Sequence, residues 1–476
     1  MHGDIRGGRL LTSLVARFST VHTNHKRIAS GAALIGLLLI LAKLFVAARE
    51  IAIAWRFGVS GLVDAYQLSL TIATWLPMML TSAMAVVLVP RLVALQGYPE
   101  RYREFVSELN GSVLASGVIL ACGTWLAAPA ASGIIGPNAN HATMEVTIAF
   151  SRDIAAIALF ILISGYLSAR LQSLERFSYS ITEAVPAASI ALLVLAPFAI
   201  GEGARLICGT VVGYGLQIVA LCVMTARADH RLGGIRLRHR SPEWSSFYKS
   251  MVLMGLAQLL ITSALPIDQA FASRIGEGAV ASLGYANRTL TLAMTLGAVM
   301  ISRALLPVLS RMVASGQVGL ARRQALQWSA LMFGIGIMGA AVVWTIAPQL
   351  VRLLFERGEF NPQASARVTE ALRYGIIQLP PFFGGIALVQ FYSAAGRFRS
   401  FLVITSCALL VKIALNVVLT PIYGLGGIMI STGCMYFMTG FLLWMGLTEA
   451  AALATRFSKR RSDSTGHRAA YPWDAR

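Results

Sequence analysis

Charge is scarce in this chain. Only 13% of its 476 residues are Asp, Glu, Lys or Arg, where soluble domains carry roughly 25%. A water-facing surface over the whole length cannot be built from so few. Acids are scarcer still, 21 against 40 Lys and Arg, which leaves a formal net charge of +19. That excess excludes a nucleic-acid surface, because the basic residues recur in every second loop instead of gathering on one domain, as the positive-inside rule requires. Cysteine numbers only five, Cys122, Cys208, Cys222, Cys407 and Cys434. All fall in apolar runs with neither metal-ligand spacing nor a disulfide framework, so they read as small buried apolar residues. The histidines lie almost entirely in loops and tails, at 2, 22, 25, 141, 230, 239 and 467. GxSxG, HExxH, P-loop and dinucleotide fingerprints are all missing. No loop exceeds about 25 residues, too few for a soluble catalytic domain. The expectation is a protein that is not an enzyme, holds no cofactor or metal, and does not hydrolyse ATP. No short apolar core precedes a small-residue cleavage site, so no secretory signal peptide is expected.

What the chain has in abundance is long apolar runs, with 56% hydrophobic residues overall. Runs of about 20 residues, the length that crosses a ~30 Å hydrocarbon core, recur throughout. The fold class is all-α, a polytopic membrane protein with about twelve transmembrane helices. The expected spans are 31–56, 64–94, 110–135, 146–173, 178–200, 205–226, 247–274, 280–310, 325–355, 366–394, 401–421 and 425–449. The even loops carry the arginines: Arg91, Arg101 and Arg103; Arg170 and Arg176; Arg227, Arg231, Arg236, Arg238 and Arg240; Arg311, Arg322 and Arg323; Arg397 and Arg399. Both termini are therefore expected on the cytoplasmic side of the membrane. The loop at 352–367 departs from the pattern with Arg352, Arg357 and Arg367 on the outer side, offset in part by Glu356 and Glu359. Residues 1–30 read either as an interfacial amphipathic helix or as a polar tail.

The chain repeats itself. EIAIAWRFG at 50–58 recurs as DQAFASRIG at 268–276, in register at the acid, two alanines, arginine and glycine. LVPRL at 88–92 has LLPVL at 305–309 as its counterpart, and Phe177 and Pro197 match Phe401 and Pro421. The repeat offset spans an even number of helices, so the copies run in the same direction. The expected organisation is a tail (1–30), an N-lobe (31–226), a basic cytoplasmic linker (227–246), a C-lobe (247–449) and a second tail (450–476). Two parallel six-helix lobes around a central cavity suggest alternating access.

Ionisable residues inside a bilayer cost roughly 2.5–3.5 kcal/mol each on insertion scales, and so mark candidate sites. The first span holds Lys43, Arg49 and Glu50, and Asp64 opens the second. Lys43 and Glu50 lie seven apart, on one helical face. These charges either line a wall that meets an anionic head group or form a buried pair that ties helices together. Asp268 is the repeat counterpart of Glu50, and Arg288 is either a cavity cation or the partner of Asp268. Arg152 and Asp153 read as interfacial. Lys412, one turn from Asn416, either faces a cavity or pairs with a neighbouring helix. Pro77, Pro186, Pro266, Pro380, Pro381, Gly384 and Gly385 interrupt spans, either to permit bending or to ease packing.

AREIAIAWRFG, VDAY and WLP, then IDQAFAS (267–273), YANR (285–288), LLPVLS (305–310), LLFERGEF (353–360) and FYSAAGRFRS (391–400) together resemble the MurJ/MviN family of lipid II flippases. The resemblance covers about 30–449. It implies a member of the multidrug/oligosaccharidyl-lipid/polysaccharide exporter superfamily. Such a protein flips an undecaprenyl-pyrophosphate-linked glycan, best lipid II, to the periplasmic leaflet; another lipid-linked oligosaccharide is the alternative cargo. Carried over residue by residue, Lys43, Arg49 and Arg288 would bind the pyrophosphate. Glu50, Asp64, Asp268 and Lys412 would tune those cations or bind a coupling cation. The implied partners are the lipid-linked glycan, membrane lipids and that cation. This chain departs from the family pattern in four places. Lys43 stands for an arginine and Glu50 for an aspartate; an arginine pair is replaced around Leu80, Thr81 and Ser82; and Asn287 stands for an acid. Most family members also carry two further helices beyond the twelve read here.

Overall fold

The computed structural model describes residues 41–462 apart from 138, 175, 198–200, 230–233 and 396. The expected tail at 1–30, the start of the first span and residues 463–476 lie outside the described residues. The chain is an all-α polytopic membrane protein, with no strand among the described residues. Nine of its helices are long and apolar enough to cross a membrane, or ten if a bent pair is one span, among the described residues. The expected count of twelve is not reached there: the first and eighth predicted spans are not among them.

The chain forms two compact units, one of Met1–Thr262 with Arg357–Phe360, the other of Ser263–Glu356 with Asn361–Arg476. The division falls inside the seventh predicted span. In the first unit, α1 occupies 41–57 of the described region. It is followed by α2 (Gly61–Leu95), α3 (Pro99–Ile135), α4 (His141–Asp153) and α5 (Ile157–Ser173). A 3₁₀ turn (Phe177–Glu183), α6 (Ala184–Leu195), α7 (Glu202–Ala228) and α8 (Glu243–Thr262) complete it. The fourth predicted span is bent by 49° between α4 and α5, directly after Arg152 and Asp153. Arg152 is exposed and lies over the Trp125 ring at 5.0 Å.

Small residues set the helix spacing. Gly209 and Gly213 form a GxxxG pair on α7, and a Cβ on either would stand 2.9 and 2.7 Å from the Cα atoms of Ile190 and Pro186 on α6. Such pairs let helix backbones meet closely in lipid. Gly213→Leu is therefore expected to lower the thermal midpoint of unfolding, since overpacking costs about 1–3 kcal/mol. Gly215→Ala, where nothing lies within 4 Å, is expected to leave it unchanged.

The second unit contains α9 (Ala264–Ala272), α10 (Ala279–Ala314), α11 (Val318–Phe355) and α12 (Pro362–Gly375). A 3₁₀ turn (Ile376–Gln378), α13 (Leu379–Ala394), α14 (Phe398–Tyr423) and α15 (Leu425–Ser462) follow. The prolines that interrupt spans mostly mark breaks. Pro266 starts α9 just past the Ser263 break, Pro380 and Pro381 open α13, and Pro186 sits in the first turn of α6. Pro77 is the exception, carried inside a continuous α2. Gly384 brings α13 against Phe333 of α11, where Ser329 donates to the Gly384 carbonyl at 2.8 Å. The repeat has a backbone counterpart: Gly58 (φ +56°) and Gly276 (φ +139°), matched in sequence, both adopt positive φ, which glycine tolerates.

Two expectations are corrected. Cys122, Cys208, Cys222 and Cys407 are exposed on helix surfaces rather than buried, and Cys434 is intermediate. In a membrane helix the lipid face is as apolar as the core, so hydropathy alone does not say which way a residue points. Arg170, read as a loop arginine, is 2% exposed near the end of α5 and pairs with Asp229 at 2.5 Å. Tyr102 donates to the same Asp229 oxygen at 2.8 Å.

Candidate functional site

Each unit carries its own polar constellation within apolar helices. In the first, α1 runs to Phe57 and stops at Gly58, whose N–H bonds the Ala54 carbonyl at 2.9 Å. Arg49 and Glu50 are neighbours on this helix, so their side chains leave it about 100° apart. They still meet: Arg49 Nε donates to Glu50 Oε1 at 2.8 Å and Nη2 to the same oxygen at 2.5 Å. Glu50 is 2% exposed, while the Arg49 side chain keeps 17%. The guanidinium thus has one edge tied to its neighbour, and Nη1 takes no part in that pair. Tyr66 of α2 and Tyr214 of α7 lie within its electrostatic reach. Tyr66 shares a 2.7 Å hydrogen bond with Thr210. Asp64, 4% exposed, sits in the first turn of α2, where the helix dipole favours an anion. Lys43 is half-buried two turns before Glu50, and Glu183 at the end of the 3₁₀ turn lies within its electrostatic reach.

Thr81, at the centre of the Leu80–Ser82 stretch that the resemblance sets against an arginine pair, packs its side chain against Gly165 of α5. Ser82 beside it is exposed, and that turn holds no cation.

The end of α1 also meets Arg357–Phe360, which cluster with this unit. Glu359 N donates to the Trp55 carbonyl at 3.0 Å. Gly58 (φ +56°) and Gly358 (φ +60°) face each other's strand of chain so closely that a Cβ on either would collide with backbone. The FERGEF and WRFG motifs are thus the two sides of one contact.

In the second unit, Asp268 of α9 is the hub. Lys412 Nζ of α14 donates to Asp268 Oδ2 at 2.8 Å and to Thr432 Oγ1 of α15 at 2.6 Å. Asn416, one turn along α14, donates to Asp268 Oδ1 at 3.3 Å, and Ser431 donates to Asn416 Oδ1. Lys412 is 0% exposed and Asp268 5%. Tyr436, one turn beyond Thr432, is in electrostatic reach of Asp268. The sequence had offered Arg288 as the partner of Asp268 and left a helix partner of Lys412 unnamed; the Asp268 carboxylate takes Lys412. Arg288 is half-buried on α10 and engaged in interactions of its own. Among the described residues, no group of three or more His, Cys, Asp and Glu could hold a metal ion.

The sequence reading had not singled out Thr210, Tyr214, Glu183, Ser431 or Thr432, and it carried Tyr66 only as the last residue of VDAY. Only the meeting of distant helices brings these residues to the charges. A usable signal existed for two of them: Ser431 and Thr432 are adjacent hydroxyls in an apolar span, and such residues bond across helices.

A sequence model of the family described as lipid II flippase MurJ matches residues 53–461. The chain belongs to the lipid II flippase MurJ family. The probable lipid II flippase MurJ of Rhizobium tropici is 27% identical over 235 residues, which cover 48% of this chain and 44% of that protein. That of Rhizobium meliloti (strain 1021) is 24% identical over 338 residues, 68% of this chain and 62% of that one. The chain thus matches about half to under two thirds of the length of these two relatives. The lipid II flippase MurJ of Burkholderia cenocepacia is 26% identical over 428 residues, 84% of this chain and 80% of that protein. Among solved structures, a lipid II flippase MurJ in an inward closed conformation superposes with a TM-score of 0.77 at 17% identity, covering 91% of this chain and 94% of that one. An inward-facing multidrug resistance MATE family transporter of the MOP superfamily gives 0.74 at 16% identity, covering 89% and 99%. At these identities both structures speak for the fold alone. A flippase family moves its cargo and does not transform it, which accords with the missing catalytic motifs.

Proposed function

We propose that this chain moves an undecaprenyl-pyrophosphate-linked glycan, lipid II in the first instance, from the cytoplasmic to the periplasmic leaflet of the bacterial inner membrane by alternating access. The observation that carries this reading is Arg49. It is a guanidinium in a membrane helix, steadied by a nearly fully buried Glu50 and still 17% exposed. Planar N–H donors in a medium of low dielectric form strong charge-assisted bonds to pyrophosphate oxygens. Lys43 and Arg288, the other candidate cations, would add charge to the head group. Glu50 and Asp64 would restrain these cations, and the Asp268–Lys412 pair would serve in charge tuning or ion coupling. The basic linker and both termini would face the cytoplasm.

A second cargo, another lipid-linked oligosaccharide of surface-glycan biosynthesis, is favoured by two observations. Lys43 is a point charge and lacks the fork of an arginine. Leu80, Thr81 and Ser82 stand where the resemblance implies an arginine pair, and Thr81 packs against Gly165 of α5, so the cation count is lower than in the family pattern.

Growth of a bacterium depleted of its own lipid II flippase separates the two. Rescue by this chain, lost in Arg288→Ala at equal membrane abundance, is the expected result for lipid II. Absence of rescue by well-inserted wild-type protein would assign the second cargo.

A further inference from the structure

Residues 234–241, between α7 and α8, form an extended strap laid along α3, all within the first unit. Its attachment is dense. Arg236 N donates to the Ser107 carbonyl at 2.9 Å, and Asn110 Nδ2 donates to the Gly234 carbonyl at 3.0 Å. The Glu108 carboxylate accepts from Arg240 N at 2.7 Å, from Ser241 N, and from the Trp244 indole at 2.6 Å. His239 stacks on Trp244 with ring centroids 4.0 Å apart and shares a 2.7 Å hydrogen bond with Ser112. Gly111 is required at the crossing, since a Cβ there would overlap the Arg236 backbone.

What this fixed backbone displays is unusual for a water-facing loop. Ile235 and Leu237 are 68% and 69% exposed. Arg236, Arg238 and Arg240 are exposed too, and no side-chain partner holds their guanidinium groups among the described residues. The height of the strap follows from α3. Its exposed large apolar residues run from Leu114 through Val118, Ile119, Trp125 and Leu126 to Ile134. Twenty residue steps at 1.5 Å give about 30 Å, the thickness of a hydrocarbon core. The strap crosses α3 at Ser107–Ser112, within a turn or two of the start of that band. It therefore lies at the level of the lipid head groups.

We propose that the 234–240 strap is a docking site for anionic phospholipid, with Ile235 and Leu237 seated below the head groups and Arg236, Arg238 and Arg240 on their phosphates. Aliphatic insertion combined with guanidinium–phosphate contact is the pairing that interfacial anchors use. The backbone is already held by α3, so little ordering remains to oppose binding. The positive-inside rule accounts for arginines on this loop. It does not account for two bare aliphatic side chains, Ile235 and Leu237, beside them on an immobilised backbone.

The test uses the full chain with Leu237→Cys spin-labelled, its five native cysteines replaced by serine, in phosphatidylcholine vesicles with increasing phosphatidylglycerol. Collision with oxygen against collision with a water-soluble nickel chelate reports the label's depth. The expected result is a move into lipid as phosphatidylglycerol rises. In R236Q/R238Q/R240Q the amount needed for half the move increases about tenfold or more. A label that stays water-exposed at every composition overturns the proposal. So does a triple variant with the wild-type midpoint, which would leave the arginines a purely topological role. Neither readout depends on which glycan the chain carries.

Discussion

Arg49→Ala is expected to reduce glycan-lipid translocation about 100-fold or more while the protein still reaches the membrane. Truncating one member of a buried, hydrogen-bonded charge pair costs about 2–5 kcal/mol, and each 1.4 kcal/mol is a factor of ten. Part of that cost belongs to Glu50, which at 2% exposure would be left with its charge uncompensated by Arg49. The double variant Arg49→Ala/Glu50→Gln removes that carboxylate charge. It is expected to regain the wild-type thermal midpoint and to remain inactive, because the group proposed to meet the pyrophosphate is gone. Recovery of activity in the double variant would mean that Arg49 serves only to neutralise Glu50. Translocation and thermal midpoint, measured on the same preparations, separate the two roles.

Lys412→Met is expected to be the most destabilising single substitution in the second unit. It leaves the Asp268 carboxylate, 5% exposed, without its ammonium partner and with the neutral Asn416 and Thr432 beside it. Breaking one side of a buried pair costs about 3–5 kcal/mol, a large share of the stability of a folded chain. Replacing both charges together is usually far milder, so Lys412→Met/Asp268→Asn is expected to recover most of the loss in a thermal melt. If the pair couples translocation to an ion gradient, the stable double variant will translocate at a rate that no longer responds to that gradient. If it retains the wild-type response, the pair is a structural tie joining α9, α14 and α15.

Much of the helix layout was legible because hydropathy in a membrane protein is close to a direct record of span position. The expected spans at 205–226 and 401–421 became α7 (Glu202–Ala228) and α14 (Phe398–Tyr423). Less legible were the extensions beyond the bilayer. α3 begins at Pro99, eleven residues before the expected span, because Tyr102, Phe105, Val106 and Leu109 continue an apolar face at helical spacing among charged residues. Arg170 was misread for another reason: it lies inside the expected span 146–173, and α5, which ends at Ser173, carries it inward to Asp229. Breaks were half legible. Pro266 and Pro380 announced theirs, whereas the bend after Asp153 has no glycine or proline to mark it.

The candidate site was legible as residue types and not as pairings. The cost of charge in lipid picked out Arg49, Glu50, Asp64, Asp268, Arg288 and Lys412 without any structure. That Lys412 belongs to Asp268, 144 positions away, is a property of three helices meeting and is written in no local pattern. The short-range pair of Arg49 with Glu50 is different, since adjacency alone made it available. Lys43 gained a neighbour in Glu183 that no motif contained.

The central claim is that cationic side chains of this chain carry a pyrophosphate-linked glycan across the bilayer. The most direct measurement is the appearance of lipid II in the outer leaflet of spheroplasts depleted of their own flippase and supplied with this chain, detected by an externally added enzyme that cleaves only exposed lipid II. The account predicts rapid exposure with the wild-type chain and background exposure with Arg49→Ala/Glu50→Gln at the same abundance. Equal exposure from both, at wild-type rates, would contradict it.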